Sequence, residues 1–296
     1  MAFLTVFTPT YNRANLLPRA YEALRQQSNK DFIWLIIDDG STDSTQQLVQ
    51  RWCDQEKMFR ICYVYKENGG LHTGYNAAIE RLDTELAVCV DSDDYLAADA
   101  VERIHDFWIR HGSLDVAGIV ALDGDNMGNV IGDPLPDQER INLIDLLIGK
   151  YPIRNGDRKL VLRSELYKRV APQRVFPGEK NFNPHYMHLQ ISKEYDFLVM
   201  NEILCVVEYQ PEGMSNQMYR QYFNSPRSFA EIRRLYLSFE NAGIRFRFKQ
   251  CIHYVASSFL AKDRHFVETS PAKLMTILAI PFGAVLFALI NIQARD

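Results

Sequence analysis

Four short apolar segments in the first 90 residues each lead directly into a polar or glycine-rich turn, and this pattern constrains the fold more than any other feature of the chain. Each segment has five or six residues and reads as a buried strand. Helix-like segments lie between and after them. The predicted strands are residues 4–8, 32–37, 61–65, 86–90 and a fifth at 116–121, and the predicted helices are residues 16–27, 73–82, 98–110 and one starting near Thr45. This alternation predicts an α/β fold, Rossmann-like, with a mostly parallel sheet in three layers and right-handed crossovers.

The polar turns that follow the first four strands are expected to lie side by side. Their sequences are PTYNR at 9–13, DDG at 38–40, KENGG at 66–70 and DSDD at 91–94. The carboxyl ends of parallel strands meet at one edge of a sheet, and open α/β sheets bind ligands there. The sequence therefore predicts one binding site assembled from turns spread over about 90 residues.

The turn at residues 91–94, called here the acidic turn, carries three carboxylates in four residues. Such carboxylates repel one another unless a positive charge lies between them. A hard divalent cation, Mg²⁺ or Mn²⁺, that also contacts a phosphorylated substrate is the natural occupant. The alternative is an acidic turn that caps the next helix, because Asp is common in turns and at N-caps.

The pattern loosens over residues 122–183, where Gly, Pro, Asp and Asn are frequent. Residues 186–193 then predict a helix and residues 203–209 a strand. Asp123, Asp125 and Asn126 resemble part of a calcium loop without its terminal Glu, and we interpret them as a surface turn. Asp157 and Arg163 are interpreted as a surface pair. The five scattered cysteines lack CxxC spacing and predict reduced thiols in a cytosolic compartment, with no zinc site.

The last part of the chain differs in charge and in hydropathy. Residues 211–296 hold 11 Lys and Arg against 6 Asp and Glu, a balance of +5, whereas residues 1–210 hold 22 against 31, a balance of −9. The acidic balance of the larger part argues against nucleic-acid binding. Predicted helices cover residues 229–241, 246–260 and 273–292, and their basic and aromatic residues suit an anionic membrane surface. Residues 274–293 are uncharged and long enough to span a hydrocarbon core of ~30 Å, but Pro281 and Gly283 leave spanning, re-entrant and interfacial placements open.

Four motifs occur in an order that resembles the inverting family 2 glycosyltransferases of the bacterial surface-polysaccharide type, which have the GT-A fold. They are VFTPTYNR at 6–13, IDDGSTD at 37–43, NGG at 68–70 and DSDD at 91–94. The resemblance is strong over about residues 3–125, weak to about residue 209, and then fades. It implies a glycosyltransferase domain at 1–210, with a donor half at 1–125 and an acceptor half at 126–210, and a membrane-associating helical extension at 211–296.

The resemblance also implies roles for the strand-end turns in binding a nucleotide sugar, with UDP as the expected nucleotide. Asp39 would accept a hydrogen bond from the base and Tyr11 would stack on it, while Arg13 and Lys66 are the nearest cations for the diphosphate. Asp93 is the expected direct ligand of Mn²⁺ or Mg²⁺, with Asp91 and Asp94 as further candidates. The predicted donor-binding set is Pro9, Tyr11, Arg13, Asp39, Lys66, Asn68, Gly70, Asp91 and Ser92.

An inverting glycosyltransferase also needs a general base that deprotonates the acceptor hydroxyl. The family uses an Asp or Glu, often in a Glu-Asp pair before a helix. Here His185 stands where that carboxylate is expected, and Glu179 lies six residues earlier. Both are predicted catalytic candidates, with His185 first, because a histidine with an ordinary pKa near 6.5 can serve as a base.

These features predict a metal-dependent transferase that moves a sugar from a nucleotide-sugar donor to a hydroxyl of a glycan or lipid-linked glycan acceptor. The expected location is the cytoplasmic face of the inner membrane, as a peripheral or monotopic protein, or the cytoplasm if the terminal helix packs internally. The alternative, raised by His185 in place of a carboxylate, is a catalytically impaired donor-binding protein that acts as a partner in a membrane polysaccharide assembly.

Overall fold

The computed structural model describes residues 2–153, 156–208, 210 and 217–294. Strands and helices largely alternate up to β9, and in the described residues that follow β9 the regular elements are all helices. The strands are β1 Leu4–Thr10, β2 Phe32–Asp38, β3 Arg60–Tyr65, β4 Leu86–Cys89, β5 Tyr95–Leu96, β6 Val116–Gly124, β7 Arg140–Ile141, β8 Arg158–Arg163 and β9 Asp196–Val206. The helices are α1 Leu17–Arg25, α2 Thr45–Gln55, α3 Leu71–Glu80, α4 Ala100–His111, α5 Leu143–Leu147, α6 Ser164–Val170, α7 His185–Ser192, α8 Met218–Asn224, α9 Pro226–Leu237, α10 Ile244–Leu260, α11 Phe266–Thr269 and α12 Lys273–Gln293.

The strands form one mixed sheet in the order β3-β2-β1-β4-β8-β6-β9-β5, and β7 pairs with β9. The first four strands are parallel, as predicted. Beyond them, β8 runs antiparallel to both β4 and β6, while β6 and β9 are parallel. The predicted fifth strand, β6, is therefore separated from β4 by β8, whose sequence RKLVLR has only three consecutive apolar residues between charged ones and does not predict a strand.

Helices cover both faces of the sheet and confirm the predicted three-layer arrangement. On one face α1, α2 and α4 pack on the sheet through apolar side chains that include Leu17, Val49 and Ile104. On the other face Phe7 of β1 contacts the rings of Tyr75 in α3 and Tyr167 in α6, at centroid distances of 5.1 and 6.1 Å.

The chain divides into two compact units. The first unit contains the sheet and comprises Met1–Gly69, Thr73–Gln173 and Met187–Gln210. The second unit contains α8 to α12 and comprises Gly70–His72, Arg174–Tyr186 and Pro211–Asp296. The predicted domain at 1–210 thus includes residues 174–186, which carry both predicted catalytic residues and belong to the second unit. The predicted strand at 203–209 corresponds to the end of β9, and its last residue, Tyr209, lies outside the described residues.

In the second unit α12 packs on α10 at a position where only glycine fits. A β-carbon built on Gly283 would lie 2.5 Å from the Val255 β-carbon and 3.1 Å from the Ile252 carbonyl oxygen. Ala279 of α12 and Tyr254 of α10 are buried in the same apolar cluster. The absence of a side chain at Gly283 is therefore what allows the two helices to approach one another here.

We expect Gly283→Leu to lower the free energy of unfolding of the second unit by about 1–3 kcal/mol or more, because overpacking strains a filled interface. Leucine is a good helix former, so intrinsic helix propensity favours the change and cannot explain a loss of stability. Urea denaturation followed by circular dichroism measures the effect. Ala288→Leu, on the exposed side of the same helix, is the matched control and should stay within about 0.5 kcal/mol of the unmodified protein. Equal stability of both variants would contradict the interpretation.

Candidate active site

The turns after β1 and β2 are joined by hydrogen bonds, which fix them at the edge of the sheet where the parallel strands β1 to β4 end. Asn12 adopts a left-handed conformation with φ of 52°. Its backbone N–H donates to Ser41 Oγ at 2.8 Å, and its side-chain oxygen accepts from the backbone N–H of Thr42 at 2.8 Å. The second turn is also fixed from within, because Asp38 Oδ1 accepts from the Ser41 N–H at 2.7 Å. The two motifs therefore form one rigid unit.

Asp39 lies at the centre of this edge and is nearly buried. Its Oδ1 accepts hydrogen bonds from Lys66 Nζ at 2.5 Å and from the Gly69 N–H at 2.9 Å, and its carbonyl oxygen accepts from Asn68 Nδ2 at 2.7 Å. Lys66 also donates to Thr73 Oγ1 at 2.8 Å. The predicted diphosphate cation Lys66 is thus engaged with the predicted base-binding carboxylate, so the charge of Asp39 is balanced within the protein.

Two buried polar atoms at this edge have no hydrogen-bond partner among the described residues. They are Thr10 Oγ1 at the end of β1 and Asn68 Oδ1 in the turn after β3. A buried polar group without a partner costs about 1–3 kcal/mol, so such groups call for an explanation. A bound ligand that donates hydrogen bonds to these two oxygens would explain why they have no partner within the described part of the protein.

The other predicted donor-binding residues of the first unit differ in exposure. Tyr11 is 47% exposed, which leaves its ring face available for stacking. Arg13 is half-buried, and its backbone N–H donates to Thr45 Oγ1 at 3.3 Å. Pro9 is buried against α3, where a β-carbon on Gly74 would lie 3.2 Å from it, and Ser92 is buried inside the acidic turn. Pro9 therefore supports the turn by packing.

In the acidic turn the three carboxylates have different environments. Asp91 is exposed to solvent, but surrounding protein desolvates its carboxylate and raises its pKa, and Asp93 adds repulsion. Asp94 is buried, accepts a hydrogen bond from the Glu208 N–H at 3.3 Å, and has its pKa raised to about 8 by burial. The Asp93 carboxylate receives no hydrogen bond or ion pair from any described residue. Asp94 therefore carries a proton at pH 7 in the metal-free protein, and its role as a further candidate ligand stays a prediction.

A buried lysine that the sequence analysis missed lies beneath the acidic turn. Lys159 of β8 has its Nζ 3.7 Å from Asp123 Oδ1 and 3.5 Å from the Cys89 carbonyl oxygen. Burial opposes the charge of Lys159, but Asp123, Asp94 and Asp91 raise its pKa well above the ordinary value. Asp123 was predicted to lie in a surface turn, but it is buried in β6, and burial raises its pKa to about 6. Lys159 thus balances part of the negative charge at this edge.

Arg19 of α1, also missed, holds the backbone of the acidic turn. Its guanidinium donates to the Asp93 carbonyl oxygen at 2.7 Å and forms an ion pair with Glu208. The guanidinium carbon lies 5.8 Å from the centre of the Tyr95 ring. These side chains border a cavity of about 360 Å³. Nothing in the sequence around Arg19 distinguishes it from an ordinary surface arginine of an amphipathic helix.

The donor set of the acidic turn fits a divalent cation that is shared with a ligand. In the described part of the chain no three His, Cys, Asp or Glu side chains converge to hold a metal ion by themselves. Mg²⁺, however, is commonly bound by one or two carboxylates together with substrate phosphates. Asp91 and Asp93 provide two such carboxylates, and the pKa of Asp91 is raised first by desolvation and then by repulsion from Asp93, two effects that a bound cation would oppose. The residues present therefore fit a cation that a diphosphate helps to coordinate.

The pKa of Asp94 predicts an unusual dependence of stability on pH in metal-free protein. Between pH 6.5 and pH 8 the folded state keeps a proton on Asp94 that the unfolded state has already lost, so stability should fall as pH rises, by up to about 1.4 kcal/mol per pH unit. Urea denaturation in the presence of a chelator measures this slope. Asp94→Asn should flatten it, and the same slope in both proteins would contradict the assignment.

In the second unit Glu179 is fully engaged at the start of α9. One carboxylate oxygen accepts from the Arg227 N–H at 2.8 Å, and the other accepts from the Ser228 N–H at 2.8 Å and Ser228 Oγ at 2.6 Å. A carboxylate at a helix N-terminus also interacts favourably with the helix dipole. These three hydrogen bonds make Glu179 a helix-capping side chain, and its role as a base stays a prediction.

His185 begins α7 and is half-buried. Its backbone N–H donates to Asn183 Oδ1 at 2.9 Å, which fixes the first turn of the helix. Burial lowers the pKa of the imidazole to about 4, so the ring is neutral at pH 7 but accepts a proton less readily than an ordinary histidine.

Gly70, in the same unit, has φ of 92°, and a β-carbon there would lie 1.9 Å from the Lys180 carbonyl oxygen. The following N–H, of Leu71, donates to that oxygen at 3.1 Å. Gly70 is thus required by this close backbone contact.

The prediction of Asp157 and Arg163 as a surface pair is wrong for Arg163. This residue is buried and donates hydrogen bonds to the carbonyl oxygens of Leu114 and Val116, while Asp157 is exposed.

Comparisons with solved structures give the fold. Over 99% of its length the chain is similar to S. aureus TarS 1–349, covering 91% of that structure with a TM-score of 0.60 at 17% identity. It is also similar to the mannosyltransferase PcManGT from Pyrobaculum calidifontis, with a TM-score of 0.58 at 18% identity, over 97% of this chain and 74% of the other. At such identities the likeness shows the fold, which is the GT-A fold.

Sequence comparison gives the family. Residues 5–169 match the family described as Glycosyl transferase family 2, so the chain belongs to that family of sugar-transferring enzymes. The putative teichuronic acid biosynthesis glycosyltransferase TuaG of Bacillus subtilis is 27% identical over 134 residues, and the glycosyltransferase GlyA of Streptococcus pneumoniae is 29% identical over 102 residues. These matches cover 44% and 34% of this chain, and 53% and 14% of the respective relatives. The chain therefore spans about half the length of TuaG and a smaller part of GlyA.

Proposed function

We propose that this chain is a metal-dependent, inverting glycosyltransferase that moves a sugar from a UDP-linked donor to a hydroxyl of a glycan or lipid-linked glycan acceptor. The observation that carries the proposal is the edge of the sheet in the first unit. There Asp39 and the unpaired Asn68 oxygen follow β2 and β3, and the acidic turn follows β4. This arrangement offers polar groups for a nucleoside and carboxylates for a cation in adjacent turns.

The choice of donor is supported by the structures that share the fold. TarS 1–349 has been solved in complex with UDP and with UDP-GlcNAc, and PcManGT in complex with GDP-Man and Mn²⁺. Both bind a nucleotide sugar, and one of them binds it with a divalent cation. By analogy we assign a nucleotide sugar to this chain and favour uridine as the nucleoside.

The residues of the first unit would bind and orient the donor. Tyr11 offers an exposed ring for stacking on the base, and Asp39 offers a carboxylate that its neighbours hold in place. Asp91 and Asp93 would hold Mn²⁺ or Mg²⁺, which when bound would stabilise the negative charge of the departing nucleoside diphosphate. Arg19 and Lys159 would keep the acidic turn in position, because they contact its Asp93 carbonyl oxygen and the adjoining end of β4.

We assign the general base to His185. The assignment is supported by the position of His185 at the start of α7, where the family resemblance expects the base, and by an imidazole that is neutral at pH 7. Glu179 is the weaker candidate, because its two oxygens already accept three hydrogen bonds at the start of α9. A direct displacement with a single base predicts inversion at the anomeric carbon.

The experiment is to incubate the full chain with Mn²⁺, a panel of nucleotide sugars and short glycan acceptors, and to measure release of nucleoside diphosphate and formation of product. We expect turnover with at least one UDP-sugar, loss of turnover in chelator, and product of inverted anomeric configuration. The absence of nucleoside diphosphate release with every donor would contradict the proposal. Product of retained configuration would contradict the inverting mechanism.

One observation favours a second candidate, a donor-binding protein without transferase activity. His185 stands where relatives are expected to carry a carboxylate, and its lowered pKa makes it a weak base. Such a protein would bind UDP with Mn²⁺ but would neither transfer nor hydrolyse any donor. Measurable transfer would eliminate this candidate.

A further inference from the structure

The terminal helix α12 has one continuous apolar face that the protein leaves uncovered. Seven large apolar side chains on it are between 47% and 72% exposed. At about 100° per residue they fall within about 140° of the helix circumference. They are Leu274, Ile277, Leu278, Phe282, Val285, Leu289 and Ile292, called here the outer face of α12. Single exposed apolar residues are ordinary, but a contiguous stripe of this length marks an interaction surface.

The opposite side of α12 is firmly packed. Thr276, Ala279, Gly283 and Ile290 are buried, and Thr276 Oγ1 is hydrogen-bonded to Ser270 Oγ at 2.7 Å. Gly283 meets Val255 of α10 with no room for a β-carbon. Further along, the rings of Phe287 and Phe259 are in edge contact at 5.9 Å. The helix is therefore attached to α10 along much of its length.

This attachment decides between the placements that the sequence left open. By length and composition α12 is the one helix in the described part of the chain that could cross a membrane, and 22% of its most apolar stretch is buried. If it crossed together with α10, the 12 uncharged residues between Lys249 and Lys262 would cover only about 18 Å of a ~30 Å hydrocarbon core, and charges at one end of this stretch would enter the hydrocarbon, where they are costly. If it crossed alone, it would have to leave α10 and expose the buried Tyr254 and Val255. A helix that lies flat on the membrane surface avoids both the burial of charges in the hydrocarbon and the separation from α10.

Cations surround the amino-terminal end of the outer face. A groove of about 660 Å³ there is lined by the apolar side chains of Phe248, Leu274 and Leu278 and by Arg245, Arg247 and Lys273. The whole C-terminal segment is also basic, with a balance of +5 over residues 211–296. Of these cations Arg245 and Lys273 are exposed, and apolar side chains beside exposed cations complement a surface that is apolar inside and anionic at its head groups.

We propose that α12 lies in the plane of an anionic bilayer interface, with its outer face embedded among the acyl chains and its other side attached to α10. The partner is a lipid membrane surface, and the helix does not cross it. The argument uses only contacts within the second unit and is independent of the sugar-transfer reaction, so it can fail or hold separately from the proposed function.

Flotation of the full chain with vesicles tests the binding. We expect it to float with vesicles of 70% phosphatidylcholine and 30% phosphatidylglycerol, and less with phosphatidylcholine alone. Leu278→Glu combined with Val285→Glu should reduce the bound fraction at least tenfold. The matched control, Ile109→Glu combined with Leu114→Glu, changes two equally exposed apolar residues of the first unit and should bind like the unmodified protein. Failure of the unmodified chain to bind, or equal binding by both double variants, would overturn the proposal. The proposal would also be overturned if the unmodified chain bound no vesicles but associated with itself, and if the variant with Leu278→Glu and Val285→Glu lost that self-association. The outer face would then be a contact between two copies of the chain.

Fluorescence quenching by brominated lipids tests the orientation with milder substitutions. Leu274→Trp, Phe282→Trp and Leu289→Trp each place an indole on the outer face, and the signal of the unmodified chain, with its three tryptophans, is subtracted. A flat helix predicts that all three indoles are quenched best by shallow bromine, at the same depth. A deep position for Phe282→Trp with shallow positions for the other two would show a crossing helix and would overturn the proposal.

Discussion

Asp93→Ala is expected to lower kcat for sugar transfer by about a thousandfold without lowering the stability of the fold. A bound cation stabilises charge on the leaving group by several kcal/mol, and each 1.4 kcal/mol corresponds to a factor of ten. The Asp93 carboxylate lies among other carboxylates and receives no hydrogen bond or ion pair from the described residues. Its removal should therefore leave the unfolding midpoint unchanged or slightly raised. Initial rates at saturating donor and Mn²⁺, with a urea denaturation curve, measure both quantities.

The control for this prediction is Asp106→Ala, which removes a carboxylate of α4 that is exposed on the surface of the same unit. It should keep full activity. If Asp93→Ala also keeps full activity, the assignment of Asp93 as a metal ligand is wrong. If it loses activity only in proportion to a loss of folded protein, its role is structural.

His185→Ala is expected to lower kcat by about a hundredfold to ten-thousandfold, the usual contribution of a positioned general base. Because burial holds the pKa of His185 at about 4, its protonation should not limit kcat between pH 6 and pH 7.5 at saturating donor and metal. Donor affinity should be unaffected, since the proposed role is in deprotonating the acceptor. Rates with a fixed acceptor and calorimetric titration of UDP distinguish the two effects.

Glu179→Gln provides the comparison for His185. Losing the charge of this helix-capping carboxylate should lower the free energy of unfolding by about 1–3 kcal/mol while activity of the folded fraction stays within tenfold. The reverse outcome, in which Glu179→Gln abolishes transfer and His185→Ala does not, would exchange the two roles.

The fold of the first unit was largely predictable because its signals are local. The apolar segments at β1 to β4 each end in a polar turn, and the parallel pairing of these strands then places the four turns at one edge. The GT-A resemblance of the same motifs agrees with the fold observed. The apolar terminal helix was equally clear, since α12 differs by one residue from the predicted range 273–292.

The parts that could not be predicted depend on partners far apart in the chain. Lys159 lies in β8, a strand with only three consecutive apolar residues, and the position of that strand is decided by its pairing with β4 and β6. Glu179 looked like an acid on a loop because its partners, Arg227 and Ser228, follow nearly 50 residues later. Asp123 looked like a turn residue because β6 continues to Gly124, three residues beyond the predicted end. Such contacts depend on tertiary structure that periodicity and turn composition do not encode.

Calorimetric titration of the full chain with UDP and with GDP, in Mn²⁺ and in chelator, tests the central claim most directly. If a divalent cation links the protein to a nucleoside diphosphate, at least one nucleotide should bind in Mn²⁺, and its affinity should be at least tenfold lower in chelator. The Asp93→Ala variant should show this lower affinity even when Mn²⁺ is present. Affinity that is the same with and without Mn²⁺, or no binding of either nucleotide, would contradict the account.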